Sequence, residues 1–252
     1  MQLSGHVRHR NAFSSFCCAL PLLFSLHVAC AAEAGSVLQR PDADIARDAD
    51  RKPAQMMAFA QVKPGQTVID YIPGRGYFTR VFSASVGNQG AVYSVMPQFL
   101  VDKFKGNLPP SVTLEPGYNN IHDVVASNTN FNVPVKADLV WTAQNYHDVH
   151  NGAGPEATAQ INKAVFDALK PGGLYVVIDH ASGTGQDGAT MTKLHRIDKA
   201  IVISEVRAAG FVLDGESTLL SNPADSHELA VFDPAIRGKT DQFVLRFKKP
   251  AN

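Results

Sequence analysis

At 252 residues, with 45% apolar and 18% charged content, the chain is long enough for one sizeable core and too short for two ordinary domains. Lys plus Arg number 23 and Asp plus Glu number 23, so no net field favours nucleic acid or an anionic membrane surface. The composition points to one globular domain and a small-molecule partner.

The first segment reads as an export signal. Arg8, His9 and Arg10 form a basic start, Phe16 to Cys30 is an apolar run, and Ala29-Cys30-Ala31 offers small residues at cleavage spacing. Residues 1–31 are therefore expected to be a signal peptide, with the mature chain periplasmic or secreted. The apolar run is shorter than the ~20 residues of a spanning helix, and Pro21 and His27 interrupt it, which weighs against a membrane anchor. Lipidation at Cys30 fits less well, because His27-Val28-Ala29 matches the preceding box poorly. Cys17, Cys18 and Cys30 all lie in this segment, so cleavage leaves no disulfide, thiolate metal site or cysteine nucleophile.

From Ser36 onward, strand-like and helix-like segments alternate. A helix over Pro53–Ala60 precedes a first strand at Thr67–Tyr71, which runs into the loop Pro73-Gly74-Arg75-Gly76 and a helix over Tyr77–Val86. A second strand at Ala91–Met96, a helix over Pro97–Phe104 and strands at Val112–Glu115 and Ala137–Thr142 follow. The chain then predicts a helix over Glu156–Leu169, a strand over Leu174–His180, a helix over His195–Ala209 and strands at Val212–Leu220 and Gln242–Phe247. Strands as continuously apolar as Leu-Tyr-Val-Val-Ile-Asp suit a parallel sheet buried on both faces, so the pattern is α/β and doubly wound. Pro171-Gly172-Gly173 supplies helix-stop and turn chemistry before that strand.

The order of these segments carries a family resemblance: Asp-Tyr-Ile-Pro-Gly-Arg-Gly-Tyr-Phe-Thr after the first strand, Ala-Asp-Leu-Val-Trp-Thr-Ala-Gln-Asn-Tyr-His-Asp-Val later, then Leu-Lys-Pro-Gly-Gly-Leu-Tyr-Val-Val-Ile-Asp-His and a final Asp-Gln-Phe-Val-Leu-Arg-Phe-Lys-Lys strand. It resembles the class I S-adenosylmethionine-dependent methyltransferases, in particular predicted, often exported, bacterial members whose loop reads close to Pro-Gly-Gly-Gly-Tyr. The resemblance covers roughly Asp48 to Lys249, within an expected domain at 36–249. It implies a Rossmann-like, mostly parallel seven-stranded sheet whose last strand is antiparallel, with S-adenosyl-L-methionine across the carboxyl ends of the first strands, where open α/β sheets bind ligands.

The expected cofactor residues are Asp70, Gly74, Gly76 and Tyr77 around the loop, and Asn145 after the fourth strand. Glycines there allow close backbone approach to a ligand. The chain departs from the family pattern at Ile72, where the first glycine of the loop should stand, and at Arg75. At the end of the second strand Met96 replaces the usual ribose-binding acid, leaving Gln98 to reach a hydroxyl with a neutral and weaker acceptor. A dinucleotide-binding oxidoreductase is disfavoured, since Gly74-x-Gly76 lacks the third glycine and Arg80 stands where a small residue is needed.

Catalysis is expected in Gln144-Asn145-Tyr146-His147-Asp148. Small-molecule O-methyltransferases carry a His-Asp pair there, and an imidazole at His147 can take a hydroxyl proton as the methyl arrives; the alternative is that His147 only satisfies loop carbonyls. His147, Asp148, His150 and His180 can also be read as metal ligands, but this spacing in a loop is not diagnostic and no metal is expected. Asp179, His180, His195 and Arg196 are candidates for the substrate border, with Arg196 alternatively paired to Asp198 or Asp179. The expected function is methyl transfer to a small acceptor; the alternative is an exported binding module that kept the fold and lost catalysis.

Overall fold

A computed structural model describes residues 40–251 of the chain. Residues 1–31, expected from the sequence to be a signal peptide, lie outside the described residues. The elements in chain order are α1 (Asp42–Ile45), α2 (Asp48–Arg51), α3 (Pro53–Phe59), β1 (Thr67–Tyr71), α4 (Tyr77–Val86), β2 (Ala91–Pro97), α5 (Gln98–Lys103), a 3-10 turn (Val112–Leu114), β3 (Ile121–Ala126), β4 (Ala137–Ala143), α6 (Tyr146–Ala168), β5 (Leu169–His180), α7 (Gly188–Leu194), α8 (Lys199–Ala208), β6 (Val212–Ser217) and β7 (Gln242–Lys248).

The strands form one seven-stranded sheet in the order β3-β2-β1-β4-β5-β7-β6. The β1, β2, β3, β4 and β5 neighbours pair in parallel, and β7 runs antiparallel to both β5 and β6. The chain reverses direction across the sheet between β1 and β4, the topological switch point of an open α/β sheet. Alternation along β4 shows how both faces are covered. Leu139 and Trp141 enter one apolar cluster with Phe78, Phe82 and Val176, while Val140 enters the other with Tyr175, Val165 and Leu245. Trp141 is fully buried in the core against Phe78 and Phe82. Among the described residues no helix is long and apolar enough to cross a membrane.

Three segments differ from the sequence expectation. Val112–Glu115 does not form the third strand: Pro109-Pro110 and Pro116-Gly117 bracket it, Ser111 caps a 3-10 turn by accepting from the Thr113 N–H, and the strand at that place in the sheet is Ile121–Ala126. As an edge strand with one neighbour, β3 exposes His122, Asp123 and Val125, so its sequence lacks the continuous apolar signature of a central strand. Helix α6 starts at Tyr146, ten positions before the predicted Glu156. Gly154 (φ 84°, ψ 171°) breaks it and Pro155 restarts it, so the Tyr-His-Asp segment is a helical first turn rather than a loop. The predicted His195–Ala209 helix begins four positions late, as α8 at Lys199: His195 takes a left-handed conformation (φ 54°) that ends a separate, unpredicted helix, α7, and the Asp198 carboxylate caps α8 at the Ala200 N–H.

Candidate functional site

The loop between β1 and α4 turns on three consecutive alternate positions of positive φ: Ile72 (59°), Gly74 (60°) and Gly76 (78°). Ile72 therefore keeps the backbone shape of the glycine it replaces. A β-branched residue in that region costs about 1–2 kcal/mol, offset by burial of its side chain. A Cβ at Gly74 would meet nothing within 4 Å, whereas one at Gly76 would lie 2.1 Å from Val112 Cγ2. Gly74 thus opens onto free space and Gly76 is required by packing.

That space is a cavity of about 170 Å³ at the carboxyl ends of β1 and β4, lined among others by Asp70, Gly74, Tyr77, Asn145, Arg51 and Arg47. Asp70 is 3% exposed, and its one side-chain hydrogen bond among the described residues is from Thr79 Oγ1 at 2.7 Å. Burial pushes its carboxyl up to about 7, with Thr79 and the Arg51 charge pulling the other way. Arg51 is the facing cation. Its Nη2 donates to Gln144 Oε1 at 3.1 Å, and its guanidinium lies 4.8 Å from the Tyr77 ring centroid and 5.5 Å from that of Phe78. Burial, with the neighbouring Arg47, pulls its pKa down to about 10, so it stays charged at neutral pH. Among the described residues neither Asp70 nor Arg51 has an ion-pair partner.

The remaining expected cofactor residues divide. Tyr77 lines the cavity but spends its hydroxyl on Asp48 Oδ1 at 2.6 Å, and Asn145 Nδ2 donates to the carbonyls of Ile72 (3.0 Å) and Ala143 (2.7 Å), tying the ends of β1 and β4 together. Met96 lines a second cavity of about 250 Å³ that shares Pro73 and Gly74 with the first and is otherwise walled by Ser94, Pro109, Val112 and Val124. Gln98 lines neither cavity; it is exposed on α5 and donates to Asp102 Oδ1 at 2.8 Å. Asp123 does line the second cavity, though its carboxylate accepts from Ser111 and Thr113.

His147 and Asp148 also line neither cavity. His147 is 3% exposed in the first turn of α6, and its Nδ1 meets Asp179 Oδ1 at 2.7 Å while its backbone N–H donates to Asp179 Oδ2 at 2.7 Å. The orienting carboxylate is thus Asp179 at the end of β5, not the adjacent Asp148, whose Oδ1 is 3.6 Å from His147 Nε2. Burial pulls the imidazole pKa down, but Asp179 and then Asp148 more than offset this, and the net direction is upward. Asp179 moves the opposite way: full burial raises it, and His147 and His180 bring it below the usual carboxylate range. Of the metal-ligand set read from the sequence, His150 bonds Glu205 at 2.9 Å and His180 bonds Thr240 at 2.7 Å, so neither joins His147. His195 does, with Nδ1 3.5 Å from Asp148 Oδ1. Arg196 pairs with neither Asp198 nor Asp179 but with Asp225, at 2.9 and 3.1 Å.

No protein-family profile and no curated protein sequence matches the chain. Solved structures do. A methyltransferase from Aquifex aeolicus described as S-adenosylmethionine-dependent superposes with TM-score 0.52 at 16% identity, over 83% of this chain and 98% of that one. The fold is that of the S-adenosylmethionine-dependent methyltransferases. The 1,6-didemethyltoxoflavin N1-methyltransferase of Burkholderia thailandensis, solved with S-adenosylhomocysteine, gives TM-score 0.56 at 15% identity over 83% and 81%. The [4+2]-cyclase SpnF gives TM-score 0.55 at 14% identity over 81% and 82%. At such identities the likeness fixes the methyltransferase fold and leaves chemistry to the side chains.

Sequence reasoning missed Arg47, Arg51 and Thr79 as site residues. Arg47 and Arg51 precede β1 in a segment without a motif; their one signal is two arginines on consecutive turns just ahead of an apolar α/β domain.

Proposed function

We propose that the chain is an exported methyltransferase that uses S-adenosyl-L-methionine to methylate a small-molecule acceptor. One observation carries the reading: a buried carboxylate, Asp70, and a half-buried guanidinium, Arg51, line the same cavity and have no ion-pair partners among the described residues. Isolated buried charges are costly, and a ligand presenting both an ammonium and a carboxylate removes that cost at both ends. The methionine end of the cofactor is such a zwitterion, with Asp70 taking its ammonium, Arg51 its carboxylate and the open face of Gly74 its backbone. The second cavity, apolar at Met96, Val124 and Pro109, suits the adenosine. The bound cofactor supplies an electrophilic methyl on sulfur. On the acceptor side the reading uses His147, whose Nδ1 is tied to Asp179 so that Nε2 is available for a proton, with Asp148 beside it.

A binding module without catalysis is favoured by the missing carboxylate at Met96. Calorimetric titration of the protein with S-adenosylmethionine and S-adenosylhomocysteine tests the first reading: saturable binding of both, weakened at least about tenfold in Arg51→Ala, supports it, and no binding of either refutes it. Binding without transfer to any of a panel of phenols, amines and thiols favours the module. For export, the secreted chain is expected to begin close to Ala32 on N-terminal sequencing; full-length chain confined to the cytosol refutes that part.

A further inference from the structure

Beyond the cofactor cavity, a second group of side chains converges where α6 begins and the turn between α7 and α8 passes it. One ligand atom from each of His147, Asp148 and His195 lies within 4.8 Å of the other two. The two measured edges, 3.6 Å from Nε2 to Oδ1 and 3.5 Å from Oδ1 to Nδ1, are longer than hydrogen bonds of normal length. They are close to the separation of about 3.3–3.4 Å between atoms that share a tetrahedral ion at roughly 2.0–2.1 Å. The other paired histidines behave differently: His150, His180 and His227 meet single partners at 2.9, 2.7 and 3.0 Å.

Orientation strengthens the case. Asp179, 0% exposed, accepts from the His147 backbone N–H with one oxygen and faces Nδ1 with the other. An ionised carboxylate can only accept, so Nδ1 carries the ring proton and Nε2 presents a bare lone pair to the cluster. A buried carboxylate holding the far nitrogen is the usual support behind a metal-bound histidine. His195 is held by its left-handed turn and by the Phe232 ring, whose centroid is 4.9 Å away.

We propose that His147, Asp148 and His195 form a binding site for a divalent first-row transition metal ion, with Asp179 as the residue that positions His147. Two imidazoles and one carboxylate suit such ions and leave coordination positions open for water or an acceptor oxygen. The site lies outside both cavities, which none of its ligands lines, but it shares His147 and Asp148 with the acceptor side of the proposed function. If both hold, the ion occupies the Nε2 that otherwise serves as the free base.

The test needs neither cofactor nor acceptor. The full chain, stripped with chelator, is titrated with Co²⁺ and Zn²⁺ by calorimetry, and Co²⁺ uptake is followed by its visible absorption. One equivalent is expected to bind. His195→Ala and Asp148→Ala should each weaken binding at least tenfold with unchanged circular-dichroism melting, Asp179→Asn about 10- to 100-fold, and His150→Ala not at all. No saturable uptake by the wild type, or equal uptake by wild type and His195→Ala, overturns the proposal; because both exposed-ligand variants leave the buried His147 in place, misfolding does not decide the result.

Discussion

Two polar regions border the carboxyl edge of the sheet, and they handle buried charge in opposite ways. At the ends of β1 and β4, Asp70 and Arg51 of α2 line one cavity and have no ion-pair partners among the described residues; at β5, Asp179 is saturated by the backbone and ring of His147 and by the His180 N–H at 2.7 Å. On the proposed function, a ligand of both charges completes the first region. The second is complete at its base and open at its tip, which is how a scaffold presents one nitrogen in a fixed direction. Unpaired charge thus marks where a ligand binds, and saturated charge marks what holds a reacting or coordinating atom in place.

The largest effect expected on the first region is from Gly74→Val. The side chain would occupy the space beside the cavity and abolish cofactor binding in calorimetry, and because Gly74 sits at φ 60° the apo protein should also melt a few degrees lower. Wild-type affinity in this variant would place the ligand elsewhere. On the second region, His147→Ala should lower the transfer rate about 10²- to 10⁴-fold with little change in cofactor affinity. Loss of cofactor binding in that variant would erase the separation between the two regions.

Arg51→Ala should weaken cofactor binding roughly 10- to 150-fold, the loss of a charge-assisted contact worth about 1.5–3 kcal/mol. The matching pH effect comes from Asp70. Its folded pKa, near 7, lies above its ordinary 3.8, so the apo fold gains from protonation and loses that stability as pH rises from about 4 through 7. A ligand ammonium requires the ionised form, so affinity should fall about tenfold per pH unit below 7, with proton release on binding. Asp70→Asn should flatten that profile; an unchanged slope in the variant would mean the titrating group is elsewhere. The smallest effect is at Met96→Glu, expected to tighten binding a few-fold by supplying the missing ribose acceptor, and a weaker complex would argue against adenosine in the second cavity.

The sequence made the central sheet legible because β1, β4 and β5 are buried on both faces and read as apolar runs. It failed at the edges of the same sheet. Ile121–Ala126 has one strand neighbour and half-exposed side chains, so its pattern is mixed, while Val112–Leu114 looked strand-like from its β-branched residues until prolines on both sides limited it to a turn. Of the site, Asp70, Gly74 and Asn145 were visible because the chain is continuous there. Arg51 and the meeting of His195 with Asp148 were not, since each depends on segments remote in sequence, and Gln98 was misplaced because one helical position turned its amide to solvent.

Arg80, noted in the sequence only as too large for a dinucleotide loop, contacts its own loop and two distant parts of the chain. Its guanidinium reaches Asp44 at 3.1 Å, the Arg75 carbonyl at 3.0 Å and Glu115, and so joins α1, the glycine loop and the turn that walls the second cavity. With Arg80 itself buried, the ions of a salt solution cannot surround it, although the Debye length of about 8 Å at physiological strength suffices to screen exposed pairs. The walls around the cavities should therefore keep their spacing from dilute buffer to high salt, so that any ionic-strength dependence of ligand uptake reports on the approach of the ligand and not on a loosening of the container.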